Sequence, residues 1–260
     1  MKIGFCTNVF ADDALFSAMK SLREMGYDGV ELWDNTLRNT DLLRLRDFLF
    51  DIGLEALQVC PYFNMTGTRE ELAHTMDIAR DYLSIAETLG CGLIRTFTGT
   101  MSSDSAAPPV YEQAVKALRK ICASGRERGI SFALETHEGS LMDTGPATLR
   151  LLRDVDAENL KVNLQVPLDG GREDVFQSAS LLGMHTVHIH AHNWIGSSPN
   201  FTLLSEGDLD FERFLLVLQG QGFDGTVSIE HGNHSGLLPL EIAQREIMYL
   251  KQLRQSWPKG

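Results

Sequence analysis

The chain has 260 residues, 43% apolar, 22% charged and 8% aromatic, a globular composition that excludes disorder, collagen-like repeats and a coiled coil. Lys and Arg number 23 against 35 Asp and Glu, and the resulting net charge of −12 repels phosphate backbones, so no nucleic-acid partner is expected. No apolar run approaches the ~20 residues that cross a bilayer, so no membrane partner is expected either.

The first residues, MKIGFCTNVFADD, carry one Lys, a short apolar run and then two acids. That is too short for a secretory signal and reads as a first β-strand. Asp12 or Asp13 can cap a following helix whose apolar residues Leu15, Met19, Leu22 and Met25 recur every three or four positions. From there one pattern repeats. A helical segment ends in Gly and a β-rich run follows, at Gly26 (GVELW), Gly53 (EALQVC), Gly90 (GLIRTF), Gly129 (SFALET), Gly183 (MHTVHIH) and Gly222 (GTVSIE). A Gly just past a helix end takes the left-handed conformation that closes it. The stretch between Gly129 and Gly183 holds one more apolar run, LKVNLQV. Thr68 and Glu71 are spaced as a capping box for the helix before Gly90. Pro239–Leu253 follows the last strand as a final helix.

Eight strands alternating with helices fit a single-domain α/β fold, a (β/α)8 TIM barrel over residues 1–260. The segment FCTNVFADD after the first strand is not the Gly-rich phosphate loop of a doubly wound sheet. Two polar loops, 98–109 and 193–207, are long enough to form lids or surface irregularities. Cys6, Cys60, Cys91 and Cys122 form no CxxC pair and read as small buried hydrophobes. With no targeting segment, a cytoplasmic location is expected.

Side chains alternate along a strand, and the helix-facing parity is apolar. Phe132 and Leu134 therefore face outward and Glu135 inward, with His137 on the same parity just beyond. Val162, Leu164 and Val166 face outward and Asn163 and Gln165 inward. Val187, Ile189 and Ala191 face outward and His188, His190 and His192 inward. Val227 and Ile229 face outward and Glu230 inward. Glu31 of the second strand also points inward. Glu135, Gln165, His190 and Glu230 thus gather at the C-terminal face, where such barrels place their active sites. Two facing buried carboxylates need a cation between them. Three oxygen donors and one imidazole suit Mn²⁺ or Mg²⁺, with Co²⁺ or Zn²⁺ also compatible.

The strings GYDGVELW, ALETHEG followed by Asp143 and Thr144, VHIHAHN, EGDLDF and FDGTVSIEHG occur in this order over nearly the whole chain. In them the sequence resembles the xylose-isomerase-like TIM-barrel superfamily of sugar phosphate isomerases and epimerases, dehydratases and the endonuclease IV branch. The resemblance places the family's metal ligands on Glu135, His190 and Glu230, with His188 as a substrate-side neighbour. Gln165 stands where the family usually has Asp or Asn, and Leu168 where the epimerases often have a substrate-binding His. The extra ligands of the trinuclear endonuclease are missing.

Resemblance and constellation together imply proton transfer next to a carbonyl. A divalent cation would stabilise the enediolate, and Glu135 and Glu230 would act as the acid/base pair. The expected activity is isomerisation or epimerisation of a small sugar, ketose or polyol derivative. The alternatives are an inosose- or dehydroshikimate-type dehydratase and a catalytically inactive carbohydrate-binding barrel. Arg95 is expected either to hold a substrate anion or to pair with Glu31. His137, Trp33 and Trp194 are candidate substrate contacts, or else structural residues at the rim. A homodimer is compatible with such barrels.

Overall fold

The computed structural model describes residues 1–257 except 169, 170, 197, 198 and 233. Eight parallel strands close into a barrel: β1 (Lys2–Cys6), β2 (Gly29–Trp33), β3 (Glu55–Cys60), β4 (Leu93–Thr96), β5 (Ser131–Glu135), β6 (Leu160–Gln165), β7 (Thr186–Ala191) and β10 (Thr226–Ile229). They follow one another round the ring in chain order, with β10 returning to β1. Between β7 and β10 the two short strands β8 (Asn193–Trp194) and β9 (Phe201–Thr202) form an antiparallel ribbon. This ribbon lies within the polar loop 193–207, whose Ser197 and Ser198 fall outside the described residues.

The alternation that marks the strands also builds the two concentric layers of the core. Phe132, Leu134, Val162, Leu164, Ile189, Val227 and Ile229 are all buried in one apolar cluster with the helices outside the ring. Those helices are α1 (Leu15–Met25), α2 (Asp34–Arg38), α3 (Leu42–Ile52), α4 (Arg69–Leu89), α5 (Pro108–Arg126), α6 (Gly145–Val155), α7 (Val175–Leu182), α8 (Phe211–Gly220) and α9 (Pro239–Gln255). The opposite parity fills the interior with polar groups, described below. Burying apolar side chains on the outer face drives closure, and it leaves the inner parity free to carry chemistry.

The local signals hold in most places. Thr68 accepts from the Glu71 backbone N–H while the Glu71 carboxylate accepts from that of Thr68, the expected capping box of α4. Gly26, Gly53 and Gly90 end α1, α3 and α4 in the left-handed conformation. Two expectations fail. Ala14, not Asp12 or Asp13, is the residue before α1, and no side chain caps that helix; Asp12 instead accepts from Asn39 Nδ2 at 3.0 Å. Gly183 is right-handed and continues α7 into a 3-10 turn. Its Gly is required by space rather than by φ, since a Cβ there would sit 2.7 Å from Gln221 Cβ.

Candidate active site

The C-terminal mouth of the barrel brings together the four residues that strand parity singled out. The register pairs Gln165 of β6 with His190 of β7, and His190 with Ser228 of β10, after a register shift between Val162 and Asn163. Glu135 ends β5, and Glu230 follows β10 directly. The result is a fan of oxygens round one ring nitrogen: His190 Nδ1 lies 3.1 Å from Glu135 Oε1, 3.2 Å from Gln165 Oε1 and 3.6 Å from Glu230 Oε1.

The other nitrogen of His190 is held from below. Nε2 lies 3.0 Å from Glu31 Oε2 and 2.9 Å from Asn163 Nδ2. Glu31 is wholly buried and uses both oxygens. Oε1 is 2.8 Å from His188 Nε2, and Oε2 also accepts from Gln58 Nε2 at 3.0 Å and from the Cys60 thiol at 3.4 Å. Burial alone would raise the Glu31 pKa, but the His190 and His188 imidazoles hold it well below the ordinary carboxylate range. Burial likewise works against a charge on His190, yet Glu31, Glu230 and Glu135 lift its pKa well above the ordinary value.

These contacts test whether a divalent cation fits. If Nε2–H donates to the ionised Glu31, Nδ1 presents a lone pair to three oxygen lone pairs, and only a proton or a metal ion at that point relieves the repulsion. A single proton can serve one oxygen, whereas a divalent ion can take all three together with the nitrogen. Two carboxylates, one amide oxygen and one imidazole are an appropriate donor set. Glu135, Gln165, His190 and Glu230 fit the group, and Glu31 orients the imidazole from behind.

The two mouth carboxylates are not equivalent. Glu135 Oε2 is locked 3.0 Å from Arg95 Nη1, with both side chains buried. Arg95 Nη2 donates to Pro61 O at 2.8 Å, and its guanidinium carbon lies 4.4, 4.6 and 4.8 Å from the Trp33, Tyr62 and Phe97 ring centroids. Burial disfavours the charge, but Glu135 keeps the Arg95 pKa above its ordinary value. Glu230, by contrast, has Oε2 with no hydrogen-bond partner among the described residues. Burial would raise its pKa, but the charge of His190 and the His192 and His231 rings hold it well below the ordinary range.

Several candidate contacts change meaning. Arg95 pairs with Glu135, not Glu31, and is buried among aromatic rings. His188 is fully buried, its Nε2 on Glu31 Oε1, because two residues back along β7 is roughly 6–7 Å deeper in the barrel than His190. Trp33 is buried as part of the Arg95 cage and stacks on His190, centroids 6.5 Å apart. His137 is exposed, with Nδ1 donating to Glu138 O at 2.7 Å, and lines two cavities of about 620 and 660 Å³. Trp194 lines the second of these together with Gln165, His192, Phe201 and His231. All four cysteines are buried and free, but Cys60 is also a hydrogen-bond donor to Glu31. His231 follows the strand-ending Glu230, where alternation no longer predicts direction. Its signal is the string IEHG itself, an imidazole adjacent in sequence to an inward carboxylate.

Comparison with known proteins fits this architecture. The family model described as xylose isomerase-like TIM barrel matches residues 19–253. The chain belongs to that family. A 3-dehydroshikimate dehydratase of Bacillus anthracis is 28% identical over 172 residues, covering 63% of this chain and 61% of that enzyme. The chain thus matches less than two thirds of the length of that curated relative. Among solved structures, the probable 3-DHS dehydratase of petrobactin synthesis from Bacillus anthracis superposes with a TM-score of 0.83 at 23% identity, covering 96% of this chain and 99% of that one. A D-tagatose 3-epimerase-like protein gives 0.82 at 21% identity, covering 98% and 97%. Neighbours of the fold include metal-bound structures. The IolI protein with a zinc atom gives 0.82 at 16% identity with both chains fully covered. A Mycobacterium smegmatis family member in complex with magnesium gives 0.73 at 17% identity, covering 95% and 90%. Dehydratases and sugar epimerases therefore share this scaffold. No helix among the described residues is long and apolar enough to cross a membrane.

Proposed function

We propose that this barrel is a divalent-metal-dependent enzyme that moves a proton on the carbon next to a carbonyl of a small polyhydroxylated substrate, with isomerisation as its principal outcome. The observation that carries this reading is the convergence of Glu135, Gln165 and Glu230 oxygens on His190 Nδ1, with Gln165 also lining a cavity of about 660 Å³. Glu135, Gln165, His190 and Glu230 would hold the ion, which supplies Lewis-acid stabilisation of negative charge developing on the carbonyl oxygen. Glu31 fixes the His190 ring through Nε2, so the donor set is pre-oriented before substrate arrives.

Glu135 is tied to Arg95, and Glu230 remains ionised at neutral pH with one oxygen uncommitted. Glu230 is therefore the base. It removes the proton from one carbon and returns it to the adjacent one, a transfer that a single carboxylate completes. Inversion at one carbon needs a second group of comparable freedom on the opposite face, which the pinned Glu135 does not supply. The expectation of an interchangeable acid/base pair is replaced here by a division of labour. Trp194 and His137, at the cavity wall, are the candidate substrate contacts.

The similarity to 3-dehydroshikimate dehydratases favours a second reading on the same site. There Glu230 would take the proton and pass it to the departing hydroxyl, releasing water. Incubation of the metal-loaded protein with a panel of ketoses and keto-polyols in deuterium oxide tests both. Deuterium appearing at the carbon beside the carbonyl, with the isomeric aldose accumulating, is the expected result; an unsaturated product absorbing in the ultraviolet supports dehydration. Exchange that survives unchanged in Glu230→Gln would overturn the assignment.

A further inference from the structure

A second group of donors at the mouth shares only Glu230 with the set just described. His192 follows β7, Glu230 follows β10 and His231 is next in the chain. The Val166 carbonyl can only accept, so the 2.6 Å contact from His192 Nε2 fixes the proton on that nitrogen. His192 Nδ1 is then a bare lone pair. It lies 3.5 Å from Glu230 Oε2, and neither atom has a hydrogen-bond partner among the described residues. His231 Nε2 reaches the same oxygen at 3.2 Å. The Glu230 carboxylate thus turns Oε1 towards His190 and Oε2 towards two imidazoles.

Both rings are held in place. Phe201 of the β8–β9 ribbon stacks on His231 at 3.9 Å and 17°, and meets His192 edge-on at 5.1 Å. The three ligand atoms all lie within 4.8 Å of one another. Donors bound at about 2.0–2.2 Å round a tetrahedral ion are themselves roughly 3.0–3.6 Å apart, and the 3.2 and 3.5 Å separations fall in that interval. Two imidazoles and one carboxylate are a nitrogen-rich set suited to Zn²⁺, unlike the oxygen-rich set round His190. His192 and His231 also line the cavity of about 660 Å³, so the remaining coordination position faces open space.

We propose that His192, Glu230 and His231 form a second divalent-cation site of zinc type, sharing the Glu230 carboxylate with the site round His190 and open towards the cavity. It shares Glu230 with the reaction assigned above and, when occupied, engages that residue's Oε2, whereas His192 and His231 take no part in that reading, so the two can fail separately.

The test is metal stoichiometry on the full chain. Protein stripped with chelator is titrated with Zn²⁺, freed of excess ion and analysed for bound metal, and Zn-edge anomalous scattering locates each ion. Wild type is expected to hold two ions per chain. His231→Ala and His192→Ala should each hold one, retained at His190, whereas Glu135→Gln should lose that one and keep the other. A single ion that is lost in Glu135→Gln and kept in both histidine variants overturns the second site and leaves the proposed reaction standing. A single ion with the opposite behaviour supports the second site and removes the metal from the proposed reaction. No zinc, or undiminished binding in both histidine variants, overturns it as well. Should a variant fail to fold, the wild-type anomalous map decides alone: a peak bounded by His192, Glu230 and His231 supports the site, and no peak there overturns it.

Discussion

Glu31 and Glu230 are both buried glutamates facing histidines inside the same barrel, and both are held well below the ordinary carboxylate range. Their surroundings differ in how completely they are satisfied. Glu31 has a partner on each oxygen, from His188, His190, Gln58 and Cys60. Glu230 leaves one buried oxygen without a hydrogen bond among the described residues, beside the cavity-lining His192 and His231. Titration behaviour therefore does not separate scaffold from site, whereas the hydrogen-bond count does. A closed network fixes geometry, and an open one retains capacity for a ligand.

The sharpest way to break this contrast is to remove the charge at each position. Glu230→Gln is expected to lower turnover about 10³-fold, equivalent to about 4 kcal/mol of transition-state stabilisation, with little change in unfolding free energy. Steady-state kinetics beside urea unfolding would check both halves. Glu31→Ala should do the reverse in kind, destabilising the fold by about 3–5 kcal/mol because His188 and His190 lose their buried counter-charge. Urea denaturation measures it, and a loss below about 1 kcal/mol would refute the view of Glu31 as scaffold.

A third buried carboxylate sharpens the comparison through pH. Glu246 of α9 accepts from the Leu204 backbone N–H at 2.9 Å, and burial lifts its pKa to about 7. The native state therefore retains a proton that the unfolded chain releases near pH ~4.3. Stability from this group is complete below that value and is lost as pH rises through about 7, a decline on the order of 3 kcal/mol. Glu246→Gln keeps the acceptor oxygen and should flatten that part of the stability profile between about pH 4 and 7, read by urea unfolding across the range. The smallest effect belongs to a site remote from both clusters. Thr68→Ala removes the α4 cap and should cost about 1 kcal/mol without altering turnover.

Most of the architecture was legible before the fold. Apolar alternation on one parity and Gly at helix ends are local properties, so the eight strands, their order and the inward direction of Glu135, Gln165, His190 and Glu230 followed from nearest neighbours in the chain. What was not legible shares a cause. Strand parity states which way a side chain points but not how deep it lies, so it does not reveal that Arg95 meets Glu135 rather than Glu31, or that His188 lies below His190 against Glu31. His231 escaped notice because it stands past the last strand residue, where alternation stops.

The sequence by itself determined the barrel and the set of side chains lining it, since burial of one face of each strand is enough to fix both. Tertiary structure decided which of those side chains meet. The register shift in β6 sets Gln165 opposite His190, the closed ring brings Glu31 of β2 under β7, and an aromatic cage commits Arg95 to Glu135. Such pairings depend on distances of a few ångströms between residues dozens of positions apart, and only the closed barrel sets those distances.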